Sequence, residues 1–113
     1  MFMFLVSYTY EHLGTGYCSD YAYLLKESGG KYPDRLKDNH ASYDDDPIQE
    51  CLNRCLADSV SENNSNDIGN EAFYLDSDKK CACAKGACST QKKKGSGYNA
   101  YKIIQGNRCN SIY

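Results

Sequence analysis

The sequence has no long hydrophobic run, and its longest apolar stretch, Met1–Val6, is only six residues. A membrane-spanning helix needs about 20 consecutive apolar residues, and a signal peptide begins with basic residues that are missing here. The start of the chain therefore predicts neither a membrane span nor a complete signal peptide. For an exported protein, we expect a sequence that begins after processing or without its true N-terminus.

Basic residues are not in excess. Thirteen Lys and Arg residues stand against 15 Asp and Glu residues, for a net charge of -2. Partners such as nucleic acids and anionic membranes are attracted by a positive field that this composition does not supply. The charge balance therefore predicts no nucleic-acid partner.

Histidine is scarce, with only His12 and His40 in the chain, and no spacing of Ser, Cys or carboxylate residues connects either one to a catalytic triad. The Asp44–Asp46 run could offer ligands to calcium, but it lacks the alternating spacing of an EF-hand loop. A solvated acidic turn is the favoured interpretation. We expect a protein without catalytic residues, metal or other cofactor.

Ordinary core-forming residues are few. Apolar residues make up 41% of the chain, but 11 of them are Tyr and 7 are Cys. A disulfide that closes a loop of tens of residues contributes about 2–4 kcal/mol and persists only in oxidising compartments. We therefore predict one disulfide-rich domain over residues 1–105, located outside the cell or in an organelle lumen such as that of a plastid.

One helix is predicted at about residues 47–58. Asp46 offers an N-cap acceptor, Pro47 suits the first helical position, and Gln49 is placed for a capping box. The apolar residues that follow have the spacing of a single buried stripe: Ile48, Cys51, Leu52, Cys55 and Leu56. Before the helix, Ser28–Asp46 has the composition of a surface loop.

The remaining segments favour strands, which makes the predicted fold class α+β. An opening strand leads through Gly14 and Gly16 to Cys18, and the turns 76–78 and 86–97 would join the last three strands in two hairpins. Gly106–Tyr113 is predicted to be a C-terminal tail. The four predicted strands are Phe4–Tyr10, Ala72–Leu75, Lys80–Ala84 and Tyr98–Ile104.

The segment Ser59–Asn70 is rich in Ser, Asn, Asp and Glu and is predicted to be a mobile loop. It contains the sequence Asn63-Asn64-Ser65, which is a glycosylation acceptor motif for Asn63. A pattern this short also arises often by chance.

The cysteine spacing matches between the helix and a strand. Cys51 and Cys55 would lie on one helix face about 6 Å apart, and Cys81 and Cys83 on one sheet face about 6.5–7 Å apart. Two neighbouring disulfides could therefore join the helix to the sheet. The rival interpretation is a four-thiolate zinc site, for which a Cys-x-Cys pair is poorly suited.

Three cysteines remain. We predict a Cys18–Cys88 bond, which would connect the end of the first strand to the second hairpin. Cys109 is left over in the tail, and an odd cysteine there suggests an intermolecular bond. Other connectivities remain possible, since seven cysteines with one left free can pair in about 105 ways.

The order of these features resembles the PAN/apple-like and WSC-like cysteine-rich modules, especially the versions in secreted proteins of algae and other protists. The resemblance extends over about Tyr8–Ile104 and rests on six features, which occur in this chain order: Cys18 after Gly-x-Gly-Tyr, Cys-x3-Cys in the helix, Ala-Phe-Tyr-Leu, Cys-Ala-Cys, Cys88 and Tyr-x-x-Tyr-Lys-Ile. It implies a bent antiparallel sheet with one helix held on it by Cys51, Cys55, Cys81 and Cys83. It also implies binding of proteins or carbohydrates. The acidic loop before the helix and Cys109 depart from the pattern, so no ligand-binding residue is transferred.

Tyrosine is more abundant than so small a core can hold, and Tyr is common at interfaces because it combines rigid apolar area with a polar tip. We expect several tyrosines to face a partner or a sugar ring, although Tyr17, Tyr74 and Tyr98 also suit half-buried sheet positions. The candidate interface residues are Tyr98 and Tyr101 together with Lys92, Lys93 and Lys94.

These observations predict a noncatalytic protein-binding or assembly module. It would be an accessory subunit of an extracellular or lumenal complex, such as an algal extracellular filament or a photosynthetic supercomplex. The alternatives are a carbohydrate-binding module and a small zinc-binding or redox protein.

Overall fold

A computed structural model describes residues 2–25, 46–76, 79–89, 91–92 and 97–111, with the backbone alone at 2–6, 92 and 107–111. The predicted loop at 28–45, with His40, Asp44 and Asp45, lies outside these residues, as do Lys93 and Lys94. The elements run in the order β1 Phe2–Thr15, β2 Tyr17–Cys18, β3 Tyr21–Ala22, α1 Pro47–Ser59, β4 Ala72–Leu75, β5 Cys81–Ala84, β6 Gln91–Lys92 and β7 Asn99–Ser111.

The strands form a five-stranded antiparallel sheet in the order β1-β7-β4-β5-β3, and β2 and β6 form a separate two-stranded ribbon. One helix packs on the five-stranded sheet. The predicted fold class, a small disulfide-rich α+β domain, is therefore confirmed.

Helix α1 begins where its capping residues predict. The Asp46 side chain accepts a hydrogen bond from the Gln49 backbone N–H at 3.1 Å, and Pro47 is the first helical residue. The Gln49 side chain donates to Asn53 at 3.1 Å instead. The cap thus forms through Asp46, and Gln49 supports the next helical turn.

The apolar stripe of α1 packs on one face of the sheet. Cys51, Leu52 and Cys55 are completely buried there, in a cluster that includes Phe73 of β4. Side chains alternate between the two faces of a strand, so Tyr74 lies on the opposite face. Helix α1 therefore covers one face of the sheet and leaves the other for different residues.

Two disulfides join α1 to β5, as the spacing predicts. Cys51 bonds to Cys81 and Cys55 to Cys83, with Cα–Cα distances of 5.4 and 5.7 Å. The four sulfurs provide no thiolate in this state, so the structure does not support the zinc interpretation. The multiple disulfides indicate an oxidising compartment.

The third predicted disulfide, Cys18–Cys88, is also present, with a Cα–Cα distance of 4.9 Å. It lies on the sheet face opposite α1, where small side chains form the sheet surface. These are Ala72, Ala82, Ala84 and Ala100. The disulfide holds the end of β2 against this alanine surface.

The second predicted hairpin is wrong. Strand β5 pairs with β4 on one side and with β3 on the other, where Tyr21 is opposite Ala84. Because β3 occupies that side of β5, β7 pairs instead with the free edge of β4, where Tyr101 is opposite Phe73. The first hairpin, β4–β5, is confirmed.

The predicted end of the last strand at Ile104 is also wrong. Strand β7 continues to Ser111, so residues 106–111 of the predicted tail are strand. The reason is that β1 begins at Phe2 and supplies backbone partners along this length, from Ser7 opposite Gly106 to Phe2 opposite Ser111. Ile112 and Tyr113 lie outside the described residues.

The segment after α1 is anchored, in contrast to the mobile loop predicted. The Asn64 side chain donates to the carbonyls of Ser59 and Ile68 and accepts from the Ile68 backbone N–H at 2.9 Å. These bonds position Ile68 so that its side chain is buried in the core. One asparagine thus orders a segment whose composition alone favours disorder.

Candidate binding surfaces

Five tyrosine side chains surround a cavity of about 160 Å³ on the sheet face opposite α1. We call this cavity the tyrosine cup. The residues come from four parts of the chain: Tyr17 of β2, Tyr21 of β3 with Tyr23 just after it, Tyr74 of β4, and Tyr98 just before β7.

Tyr17 is the central ring of the cup. Its centroid lies 6.3 Å from that of Tyr21, 6.0 Å from Tyr74 and 5.8 Å from Tyr98, with the ring planes tilted by 51–68°. Tyr23 extends the row through Tyr21, at 5.3 Å. Tilted arrangements at these distances are favourable for aromatic pairs and hold the rings in fixed orientations.

The local structure explains why the rings converge. Ala82 and Ala100 are opposite Tyr74 on its two neighbouring strands, so no large side chain competes for the space beside it. The Gly16 backbone N–H donates to the Tyr98 carbonyl at 2.8 Å, which brings the start of β7 next to β2. The Cys18–Cys88 bond fixes the same region.

The phenol of Tyr74 is protected from ionisation. Burial raises the pKa of Tyr74 well above its ordinary value, with smaller contributions from the charges of Tyr23, Tyr21, Tyr98 and Asp76. The phenolic oxygens around the cup therefore lie close enough to influence one another. The Tyr74 hydroxyl is therefore neutral at physiological pH.

We expect the chain to lose stability in alkaline solution. Tyrosine in an unfolded chain ionises near pH 10, whereas Tyr74 in the folded chain keeps its proton to higher pH. Above about pH 10 the unfolded state binds fewer protons than the folded state, so the free energy of unfolding falls as the pH rises. Below that pH this contribution is fully present.

Urea unfolding at a series of pH values from 8 to 11.5 measures this effect. The Tyr74→Phe variant should show a shallower decline than the parent chain. Burial also raises the pKa of Tyr101, so some decline should remain in that variant. An unfolding midpoint of the parent chain that does not change above pH 10 would contradict the prediction.

A polar groove with a volume of about 460 Å³ adjoins the cup and shares Tyr21 and Tyr23 with it. Among its other lining residues are Asp20, Asn66 and Lys85. The Asn66 side chain donates to the Tyr23 carbonyl at 2.8 Å, and Asp20 Oδ2 accepts from the Gly86 backbone N–H at 2.9 Å. Both contacts connect separate parts of the chain at the groove.

The structure separates the predicted interface residues. Tyr98 lines the cup, but Tyr101 is 8% exposed and stacks on Phe73 at 5.3 Å, so its predicted interface role is wrong. The register places Tyr101 on the face that α1 covers. The backbone of Lys92 belongs to β6.

The convergence of Tyr17, Tyr21 and Tyr23 with Tyr74 and Tyr98 is not evident from the sequence. A usable signal exists in the Tyr-Cys-x2-Tyr-x-Tyr pattern at 17–23, since a disulfide at Cys18 fixes the surrounding tyrosines. The groove has no comparable sequence signal.

A second surface is the long antiparallel pair formed by β1 and β7. Strand β4 pairs with β7 only at residues 99–102. Beyond this contact, Phe2–Ser7 and Gly106–Ser111 pair with each other, and no third strand joins them within the described chain. We call this part the β1–β7 ribbon.

The structure also places two further predicted sites, Asn63 and Cys109. Asn63 is exposed, as a glycosylated residue must be, in the turn stabilised by Asn64. Cys109 lies in the β1–β7 ribbon opposite Phe4, in a strand and not in a tail. All six other cysteines are bonded to one another, so none is left in the chain to pair with Cys109.

Comparisons with known proteins give no relative: no family model matches the chain, and no curated protein or solved structure does. The resemblance to PAN/apple-like and WSC-like modules stays a prediction. In the described ranges, α1 falls far short of the length and apolar character that a membrane-crossing helix requires.

Proposed function

We propose that the chain is a noncatalytic assembly module of an extracellular or lumenal complex, and that the β1–β7 ribbon contacts a protein partner. The supporting observation is the pairing of Phe2–Ser7 with Gly106–Ser111 beyond the rest of the described sheet. An isolated two-stranded ribbon is at best marginally stable in water. A partner that supplies a third strand or a packing surface would stabilise it.

The edge of β1 favours such a partner. Edge strands that remain unpaired in natural proteins are usually protected by lysine, proline, bulges or short length. Strand β1 is 14 residues long, and Phe2–Thr15 contains neither lysine nor proline. Its one irregularity lies between His12 and Gly14, outside the ribbon. Its first five residues, Phe2–Val6, are all apolar. Addition of a partner strand to this edge is a common mode of protein recognition.

The position of Cys109 also supports the β1–β7 ribbon as the contact surface for a partner. Its position opposite Phe4 places it in the β1–β7 ribbon, and the other six cysteines are already paired. A disulfide from Cys109 to the partner would add a covalent link to the contact. An algal extracellular filament and a lumenal photosynthetic complex are both suitable settings for an accessory subunit of this kind.

Native size and disulfide analysis of the chain in its source cells tests this proposal. The parent chain should migrate in a complex larger than a monomer, and a Val6→Lys variant should shift to the monomer position. Val60→Lys is the matched control, because Val60 is 83% exposed at the end of α1 and is not part of the ribbon. That variant should assemble normally.

The Cys109→Ser variant tests the covalent link. On a non-reducing gel, the parent chain should show a species joined to a second polypeptide, and this species should be missing in the variant. A parent chain that is monomeric in its source cells, with a free Cys109 thiol, would refute the proposal.

A further inference from the structure

The tyrosine cup and the polar groove form one continuous surface, since Tyr21 and Tyr23 line both. The cup lies on the sheet face opposite α1, and neither cavity has a lining residue in the β1–β7 ribbon. The groove volume of about 460 Å³ is within the roughly 300–1,000 Å³ of typical small-ligand pockets. The cup, at about 160 Å³, has room for one compact ring rather than a protein segment.

The cup is lined with groups that both donate and accept hydrogen bonds. Each phenolic hydroxyl has one donor hydrogen and acceptor lone pairs, and burial keeps the Tyr74 phenol neutral. The groove adds the Asn66 amide, the Ser19 and Ser65 hydroxyls and the Lys85 ammonium. A ligand with many hydroxyl groups of its own would match these donors and acceptors in both places.

The charges of the lining argue against an anionic ligand. Asp20 and Asp67 line the groove and Lys85 is the one cation described there. At the cup, the charge of Asp76 contributes to the raised pKa of Tyr74. A phosphate, sulfate or uronic acid would meet carboxylate repulsion at both ends of the surface.

The packing of the rings argues against a quaternary ammonium ligand. An aromatic cage binds such a cation with open ring faces. In the cup, Tyr17 contacts three of the other rings at 5.8–6.3 Å, and Tyr74 and Tyr98 contact each other at 6.1 Å. Each ring of the cup thus already packs against at least one other ring.

We propose that the tyrosine cup and the polar groove form a binding site for a neutral carbohydrate, with one sugar ring in the cup and the next in the groove. Tyr21, which is 41% exposed and lies between the two cavities, would contact both rings. Tyr98 would contact only the ring in the cup.

The test uses the full chain with its disulfides intact. An array of neutral oligosaccharides built from hexoses, pentoses and N-acetylhexosamines identifies a ligand, and NMR titration with that oligosaccharide locates the site. We expect the largest amide shifts at residues 17–23, 65–67 and 98. Tyr21→Phe and Tyr98→Phe should each weaken binding by about 2- to 10-fold, the effect of one lost hydrogen bond.

Tyr8→Phe is the matched control, because Tyr8 is 36% exposed on β1 and does not line the cup or the groove. It should leave the affinity unchanged, and the NMR spectrum of each variant shows whether the fold is retained. Tyr21→Ala should lower the affinity by more than the phenylalanine variant, since it also removes the ring.

Three results would overturn the proposal: no binding to any oligosaccharide of the array, binding that Tyr21→Phe and Tyr98→Phe leave unchanged, or shifts in the cup with tetramethylammonium instead of a sugar. The ribbon variants Val6→Lys and Cys109→Ser should bind the sugar normally. Failure of the carbohydrate site can therefore be distinguished from failure of the assembly surface.

Discussion

Removing both disulfides between α1 and β5 is expected to leave the chain largely unfolded. Each bond closes a loop of about 30 residues, Cys51–Cys81 with a separation of 30 and Cys55–Cys83 with 28. Such a bond contributes about 2–4 kcal/mol, so both together contribute roughly 6 kcal/mol. The total stability of a small domain is about 5–15 kcal/mol. A domain whose stability lies at the low end of this range would unfold after losing both bonds.

Urea unfolding followed by far-UV circular dichroism measures the effect in chains with alanine at Cys51 and Cys81, at Cys55 and Cys83, or at all four. Each single-bond variant should remain folded with a lower unfolding midpoint. Cys109→Ser is the control and should change the free energy of unfolding by no more than about 0.5 kcal/mol, because the three internal bonds remain. A four-alanine chain with the parent's midpoint would show that the bonds do not hold the helix.

The second large effect is expected from Phe73→Ala. Phe73 is completely buried in β4, stacks on Tyr101 at 5.3 Å and meets the edge of Tyr10 at 6.4 Å. Truncation would leave a cavity between α1 and the sheet and should lower the free energy of unfolding by about 3–5 kcal/mol.

Phe73→Leu keeps most of the buried volume and is the matched control. We expect it to lower the free energy of unfolding by about 1–1.5 kcal/mol, measured by the same urea titration. Equal losses for the two variants would mean that the aromatic contacts with Tyr10 and Tyr101, rather than the filled volume, determine the role of Phe73.

The two proposed surfaces follow from how the sheet is covered. Helix α1 and its two disulfides occupy one face, and the alanine-rich opposite face leaves room for the tyrosine rings. Strand β1 lies at the edge of the sheet and extends past β4 in its pairing with β7. Carbohydrate and protein partners could therefore be bound by separate parts of one small domain.

Features that depend on neighbours in the sequence were predictable. Asp46 and Pro47 define the start of α1, because capping is an interaction within one helical turn. The match between Cys51 and Cys55 on a helix and Cys81 and Cys83 on a strand predicts the two bonds, because both spacings follow from backbone geometry.

Features that depend on distant residues were not predictable. The chain order suggests β5 as the neighbour of β7, but β3 already occupies that side of β5. The composition of residues 59–70 suggests disorder, but Asn64 orders them through bonds to Ser59 and Ile68. In both cases the outcome depends on contacts that no local pattern contains.

By itself, then, the sequence determined the helix, its two disulfides to β5 and the α+β class, because capping, periodicity and cysteine spacing act over a few residues. Only the tertiary structure decided the strand order, the burial of Tyr101 and the tyrosine cup. The physical reason is that the face on which a tyrosine lies depends on strand register. Whether that face is covered depends on which distant element packs against it.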